Sequence, residues 1–327
     1  MKQISKALIV IFLFLINGFH GKAWNDDGHR LTALIAYQQM DEATRKMILD
    51  IIKHHPLYQE DFLQKMPSKI KTADQRIKDQ WIISQMAVWS DITRQNPDYH
   101  HGTWHYINEA HFLTSADHRM KITANQKKNY QEEDDKASLN AAQAYHKNMS
   151  ILQDPDQSKA QKAIALCWIF HIVGDIHQPL HATALFSRTK FPKGDRGGNS
   201  FYILREEKTL HAWWDALPGK GNSPFKKLKK TLKKLNHSEP HGNFDLNQTK
   251  SFSNWINESF ELAKKEVYIE SILEQAQQKT LNKYKSIELT FSKAALKDYR
   301  AKAKKVADKR VVESGFRLAK VLETIDG

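Results

Sequence analysis

The chain has 327 residues, of which 40% are hydrophobic and 10% aromatic, enough for one large domain or two ordinary ones. Eight tryptophans exclude a disordered polymer, 13 glycines exclude a collagen-like or linker composition, and a single cysteine (Cys167) excludes both an intramolecular disulfide framework and a cysteine-rich zinc finger. Lys+Arg of 50 against Asp+Glu of 37 gives a formal net charge of +13, which suits a polyanionic partner without identifying one. Any metal must be held by His, Asp, Glu or backbone atoms, and 16 histidines supply candidates.

Lys2 and Lys6 precede an apolar run from Ala7 to Ile16, and Gly21-Lys22-Ala23 follows as a small-x-small end. This is the pattern of a secretory signal over residues 1–23, with an apolar core too short to span a bilayer. Cleavage after Ala23 makes Trp24 the new N-terminus, leaves residues 24–327 as one domain and places the product outside the cytoplasm, secreted or periplasmic. From Arg30 onward apolar residues recur at helical spacing: Leu31 to Met40, Met47 to Ile52, Trp81–Val88, Ala141–Leu152, Ala160–Val173, Phe252–Leu273 and Ala294–Leu322. Strict alternation is scarce and best over Ser200–Leu204, so the fold is expected to be mainly α. A glycine-containing loop runs from Pro192 to Asn199. Two segments read as solvated additions: residues 115–136, polar and charged, and residues 225–236, six lysines with Leu228, Leu232 and Leu235 on one helical stripe.

The chemistry concentrates in Ile169-Phe170-His171-Ile172-Val173-Gly174-Asp175-Ile176-His177-Gln178-Pro179-Leu180-His181. His171 and Asp175 are four apart, so an imidazole and a carboxylate share one helix face, and Pro179 lets His181 turn back toward them. A second pair of the same spacing is His211 and Asp215 in Leu210-His211-Ala212-Trp213-Trp214-Asp215. Two such pairs suggest zinc or another borderline divalent metal. Asp91 in Trp89-Ser90-Asp91 and His105 in Trp104-His105-Tyr106-Ile107-Asn108 add ligands beside aromatics, and His29 follows Trp24 closely. A free α-amine at Trp24 titrates near pH 8 and is itself a metal ligand at neutral pH. Three carboxylates, five imidazoles and an amine are too many for one tetrahedral ion and fit a cluster better.

These motifs together, the N-terminal Trp-x4-His, the WxD and WHYIN segments, HxxGDxHQPLH, the GGN loop and LHxxWD, resemble the zinc-dependent, single-strand-specific nucleases of fungi, plants and bacteria. A zinc phospholipase C is a more distant relative, in which the last carboxylate ligand is a glutamate where this chain has Asp215. The resemblance covers nearly all of the chain from Trp24 onward. It implies an all-α, single-domain fold with three zinc ions at the bottom of a cleft. It further implies that Asp91, His105, His171 and Asp175 hold the first zinc, that His181, His211 and Asp215 hold the second, and that the Trp24 amine and carbonyl, His29 and a bridging Asp175 hold the third. His177 has no ligand role in that pattern and is left near the ligands or on the surface.

By the same resemblance Arg94 neutralises phosphate charge, with Asp91 and Asp175 at the catalytic centre, and Asn199 lines the substrate site. Tyr106 and Asn108 stand where fungal members place an aromatic and an aspartate that recognise a base; the ring is kept and the charge is not, so base preference is expected to be broad. The lack of paired cysteines departs from eukaryotic relatives and fits a bacterial-type member. The implied activity is endonucleolytic hydrolysis of single-stranded DNA and RNA to 5′-phosphorylated products, together with 3′-nucleotidase activity, by a monomer without a membrane span. The rival expectations are a zinc phospholipase C-like phosphodiesterase and a secreted zinc-binding protein without turnover.

Overall fold

The structure, a computed structural model, describes residues 24–238 and 251–325, so the expected signal over residues 1–23 lies outside the described residues. Eleven α-helices are present among the described residues: α1 (Asp26–Gln39), α2 (Glu42–Ile52), α3 (Ser68–Lys71), α4 (Gln75–Ile92), α5 (Ala141–Gln153), α6 (Lys159–Ile176), α7 (Leu210–Asp215), α8 (Phe225–Ser238), α9 (Phe252–Leu262), α10 (Glu270–Gln278) and α11 (Lys293–Leu322). The fold is all-α in class, with short strands only at its connections.

Local chemistry sets most helix starts. Asn25, Asp41, Asp74, Ser251 and Ser292 each accept a hydrogen bond from a backbone N–H of the first turn. Reciprocal capping boxes, Asn140 with Gln143 and Ser158 with Gln161, open α5 and α6. From Ala163 onward α6 is buried on nearly every face, as its continuous apolar run requires, and it packs against α4, α5, α1, α2 and α11. α1 lies between α4 and α11. Gly315 allows that approach, because a Cβ there would stand 2.5 Å from Ile35 Cβ. At the same crossing the Thr32 and Ser314 hydroxyls share a buried 2.7 Å hydrogen bond. One apolar cluster gathers Trp89, Trp168 and Phe170 with α2, α4, α5 and α6; a second gathers Trp24, Trp213, Trp214 and Phe201 with α1, α7, α8 and α11.

The strands bring distant segments together. β1 (Glu109–Phe112) runs parallel to β2 (Thr183–Phe186), with Glu109 opposite Thr183. The pairing is extended by Ile107 N–H donating to the His181 carbonyl at 2.8 Å, which draws the segments after His105 and His181 side by side. β3 (Phe201–Ile203), the alternating stretch expected from sequence, pairs antiparallel with β4 (Lys208–Thr209) and parallel with β5 (Ile287–Leu289). That hairpin returns the chain from the glycine loop directly into α7.

Two expectations are corrected. The stripe over Phe252–Leu273 is not one helix: α9 ends in a widened turn over Ala263–Val267, and α10 begins at Glu270. The break turns Tyr268 inward, where its hydroxyl donates to Asp195 at 2.7 Å, and frees the Val267 carbonyl to accept from Tyr299 at 2.9 Å. Residues 115–136 are not simply solvated. Asp117 and Asp134 are buried within them, Asp117 accepting from the Arg188 N–H at 2.9 Å and Asp134 from Gln143 Nε2 at 2.7 Å. The lysine-rich segment is α8, and its three leucines are buried as the stripe requires. Among the described residues no helix is long and apolar enough to cross a membrane.

Candidate metal centre

Six elements converge on one buried cluster of imidazoles and carboxylates. His29 comes from the first turn of α1, Asp91 from the last turn of α4, His105 from the turn before β1, and His171 and Asp175 from α6. His181 comes from the short 3-10 turn opened by Pro179, and His211 and Asp215 from α7. All eight are buried. α6 ends at Ile176, before Pro179 rather than at it, and the short turn Pro179–His181 brings His181 to the cluster. Gly174 makes room for the α1 ligand: a Cβ there would lie 2.7 Å from His29 Nδ1.

Three groups of side chains present ligand atoms within 4.8 Å of one another: His29, Asp91 and His171; His105, His171 and Asp175; and His181, His211 and Asp215. Asp175 reaches two ways, with Oδ1 at 3.1 Å from His29 Nε2 and Oδ2 at 3.1 Å from His105 Nδ1 and 3.3 Å from His171 Nε2. His29 and His171 stack with ring centroids 4.0 Å apart. The Asn25 N–H donates to the Asp215 carbonyl at 3.1 Å, which fixes the Trp24 backbone next to the cluster.

Hydrogen bonding at the far side of each ring decides what the near side offers. His181 Nδ1 lies 2.6 Å from the His105 carbonyl and His211 Nδ1 lies 2.7 Å from the Gly197 carbonyl. A carbonyl only accepts, so both Nδ1 atoms carry a proton and both Nε2 atoms are turned toward the centre. Those two Nε2 atoms are 3.1 Å apart. With Asp215 beside them, they form a donor set that suits a cation. His171 is oriented in the same way by the Ala87 carbonyl at 2.7 Å. Both nitrogens of His29, His105 Nε2, Asp91 Oδ2 and Asp175 Oδ1 are buried without a hydrogen bond. Such a set is costly in an apolar interior and fits divalent ions.

The electrostatics agree. Burial, reinforced by neighbouring imidazoles, pushes His29, His105 and His181 well below the usual histidine range, so they stay neutral and able to ligate. Burial raises the Asp175 carboxyl well above its usual range, and Asp91 adds to this; burial also raises Asp215. Asp91 is the exception: against the upward push of burial, His171, Arg94 and His29 hold it at about 2. Arg94 donates to Asp91 Oδ1 through Nε at 2.8 Å and Nη2 at 2.5 Å.

Above the cluster opens a cavity of about 820 Å³, within the range of ligand clefts. Arg94, Tyr106, Asn108 and Asn199 line it, as do the two ligand candidates His181 and His211; the other six candidates and Trp24 lie beneath or beside it. Tyr106 is 37% exposed, a large ring left open to the cavity. Asn199 is held by Thr209, which donates to its Oδ1 at 3.2 Å, and its Nδ2 donates to the Arg196 carbonyl.

His177 belongs to neither surface nor cluster. It is fully buried, with Nδ1 at 2.7 Å from the Val173 carbonyl and Nε2 accepting from Arg317 at 2.9 Å. Two supporting residues escaped the sequence reading. Gln178 donates to Asp215 Oδ1 at 2.8 Å, and Asp195 anchors the glycine loop by accepting from Leu185 N–H, Gly198 N–H and the Tyr268 hydroxyl. Gln178 lies within the ligand motif and Asp195 two residues before the glycine pair, so position alone marked them.

Comparison with known proteins gives the same direction. Residues 24–326 match the family model described as S1/P1 Nuclease. Endonuclease 4 of Arabidopsis thaliana is 23% identical over 215 residues, which are 64% of this chain and 59% of that protein. Endonuclease 2 of the same plant is 20% identical over 213 residues, 64% of this chain and 60% of that protein. The chain thus aligns with about three-fifths of the length of the curated relatives it matches. With the family model spanning the domain and the ligand cluster assembled within it, the chain belongs to the S1/P1 nuclease family.

Proposed function

We propose that this protein is a zinc-dependent endonuclease that hydrolyses single-stranded DNA and RNA to 5′-phosphorylated products and also releases phosphate from 3′-nucleotides. The observation that carries the reading is the set of eight buried His and Asp side chains, several of whose polar atoms have no hydrogen bond, beneath a cavity bearing a half-exposed tyrosine and Arg94. Family membership and two plant relatives named as endonucleases support it. Asp91, His105, His171 and Asp175 would hold one zinc; His181, His211 and Asp215 a second; and Trp24, His29 and Asp175 a third.

Zinc, when bound, supplies Lewis acidity toward phosphoryl oxygen and a water of lowered pKa. The chain's own groups do the rest. Arg94 lies at the cavity wall, where its guanidinium can offset charge on a phosphoryl oxygen. Tyr106 offers a stacking face that every base can use, worth roughly 1–3 kcal/mol per base. Asn108, with one acceptor and one donor group, gives that stack little bias toward guanine. Stacking of this kind requires an unpaired base, which favours single strands over duplex. The N-terminal pattern of residues 1–23 supports secretion or export to the periplasm, with Trp24 as the mature terminus. The deciding test is hydrolysis of single-stranded and duplex DNA by chain beginning at Trp24. Cleavage of the single strand, loss on chelation and recovery with added zinc support the proposal; a chelator-insensitive or absent activity refutes it.

A further inference from the structure

The cavity carries more positive charge than one phosphate needs. Arg94 is already engaged with Asp91 at the edge of the metal centre. Lys136, Lys193 and Arg196 also line the cavity, all three exposed, and no aspartate or glutamate is among the described residues lining it. Lys193 and Arg196 sit on the glycine loop, and Lys136 comes from the segment before α5.

Arg196 is placed there at a conformational cost. Its φ is +63°, in a loop where Gly194, Gly197 and Gly198 hold the other positive values. A glycine would adopt that backbone without strain, whereas an L side chain does so reluctantly. The loop leaves it no alternative: its carbonyl accepts from Asn199 N–H and Nδ2, and the next residues are pinned to buried Asp195 and to His211. Arg196 and Tyr106 line the same cavity. The tied loop thus presents a cation to the cavity that holds the ring on which a base would stack.

Building on the nuclease reading, we propose that Arg196, together with Lys193 and Lys136, forms a second phosphate subsite that grips a phosphodiester group flanking the scissile one, so that the cleft favours oligonucleotides over substrates with a single phosphate. Fixed cations of this kind act by neutralising phosphates and releasing their counterions, which makes the contribution salt-dependent.

Arg196→Gly is the informative variant, because it deletes the guanidinium while relieving the backbone. Its KM would be measured on dTpdT, which has only the scissile phosphate, and on (dT)6, beside the melting temperature and the anisotropy of fluorescent (dT)6. The subsite predicts that the ratio of KM for (dT)6 to KM for dTpdT rises about tenfold, the equivalent of one charge-assisted hydrogen bond. It also predicts a flatter salt dependence for (dT)6, by about 0.7 in log–log slope for each phosphate no longer neutralised, and a Tm within about 3 °C of wild type. Lys193→Gln should move the ratio in the same direction. An unchanged ratio with unchanged (dT)6 affinity, or a fall in Tm that accounts for weaker binding, would overturn the subsite. Should wild type cleave neither substrate, the nuclease reading fails, and the subsite is still decided by whether Arg196→Gly weakens (dT)6 binding.

Discussion

Asp175 faces His29 with one carboxylate oxygen and both His105 and His171 with the other. Removing it leaves three imidazoles without their shared anion. Asp175→Ala is therefore expected to abolish hydrolysis rather than weaken it and to lower both metal content and Tm, read by elemental analysis and thermal melting. Wild-type protein that is active with one zinc or none would contradict the assignment. Arg94 poses a different question, since it both faces the cavity and holds Asp91. Arg94→Ala should lower kcat by on the order of 10²–10³ while zinc content stays unchanged, by analogy with losing one positioned donor. Zinc loss in that variant would show that the arginine serves Asp91 instead. At this scale much was legible from sequence, because His171 with Asp175 and His211 with Asp215 announce themselves by i, i+4 spacing. Gln178 and Asp195 were not, because their partners Asp215 and Tyr268 lie 37 and 73 residues away and no local pattern records such pairing.

Helical elements were legible wherever an apolar stripe met a capping residue, as at Ser158 or Asn140, and least so where tertiary contacts overrode the stripe. The α9–α10 break illustrates the second case, since Tyr268 turns in to meet Asp195. β1 and β2 were unreadable for another reason: each is four residues long and none of their positions alternates between buried and exposed, so period two never appears. α8 tests the reverse situation, a helix rich in like charges that repel at i, i+3 and i, i+4. Leu228, Leu232 and Leu235 form its buried face, with Phe225 packed at its start. Leu232→Ala should cost about 2–5 kcal/mol in denaturant unfolding, whereas lysine-to-glutamine changes on the exposed face should cost far less. His55, just beyond α2, packs against Phe62 and against Trp89 of α4, and burial lowers its pKa to about 4. The unfolded chain takes up a proton near pH 6.5 and the folded one does not until about pH 4. Its contribution is thus complete above pH 6.5 and is lost as pH falls toward 4, by up to about 3 kcal/mol. Stability measured between pH 7 and 4.5 should decline, and His55→Phe should flatten that decline; an unaltered slope would remove His55 from the account.

For the molecule as a whole, the centre draws its ligands from elements of both apolar clusters, which α1 and α11 already link by contributing to each. His29 rides on α1 and His211 on α7, beside the second cluster, while Asp91 and His171 ride on α4 and α6, within the first. Metal bound between them would act as a cross-link whose affinity adds to folding stability, about 2.7 kcal/mol for a site held at 100 times its dissociation constant. A terminus at Trp24, as proposed, would enter the same linkage, because Trp24 is fully buried and its neighbour Asn25 is tied to the Asp215 carbonyl. An amine at that position is a good zinc ligand at neutral pH, and an amide nitrogen, whose lone pair is delocalised into its carbonyl, is a poor one. Preparing the chain with Trp24 as its first residue, and again with two residues added before it, isolates that single atom. The trimmed form is expected to bind one more zinc per molecule, to melt higher and to be much more active on single-stranded DNA, with all three differences vanishing after chelation. Equal zinc content and equal specific activity in the two forms would rule out the terminal amine as a ligand and leave His29 and Asp175 to hold that ion without it.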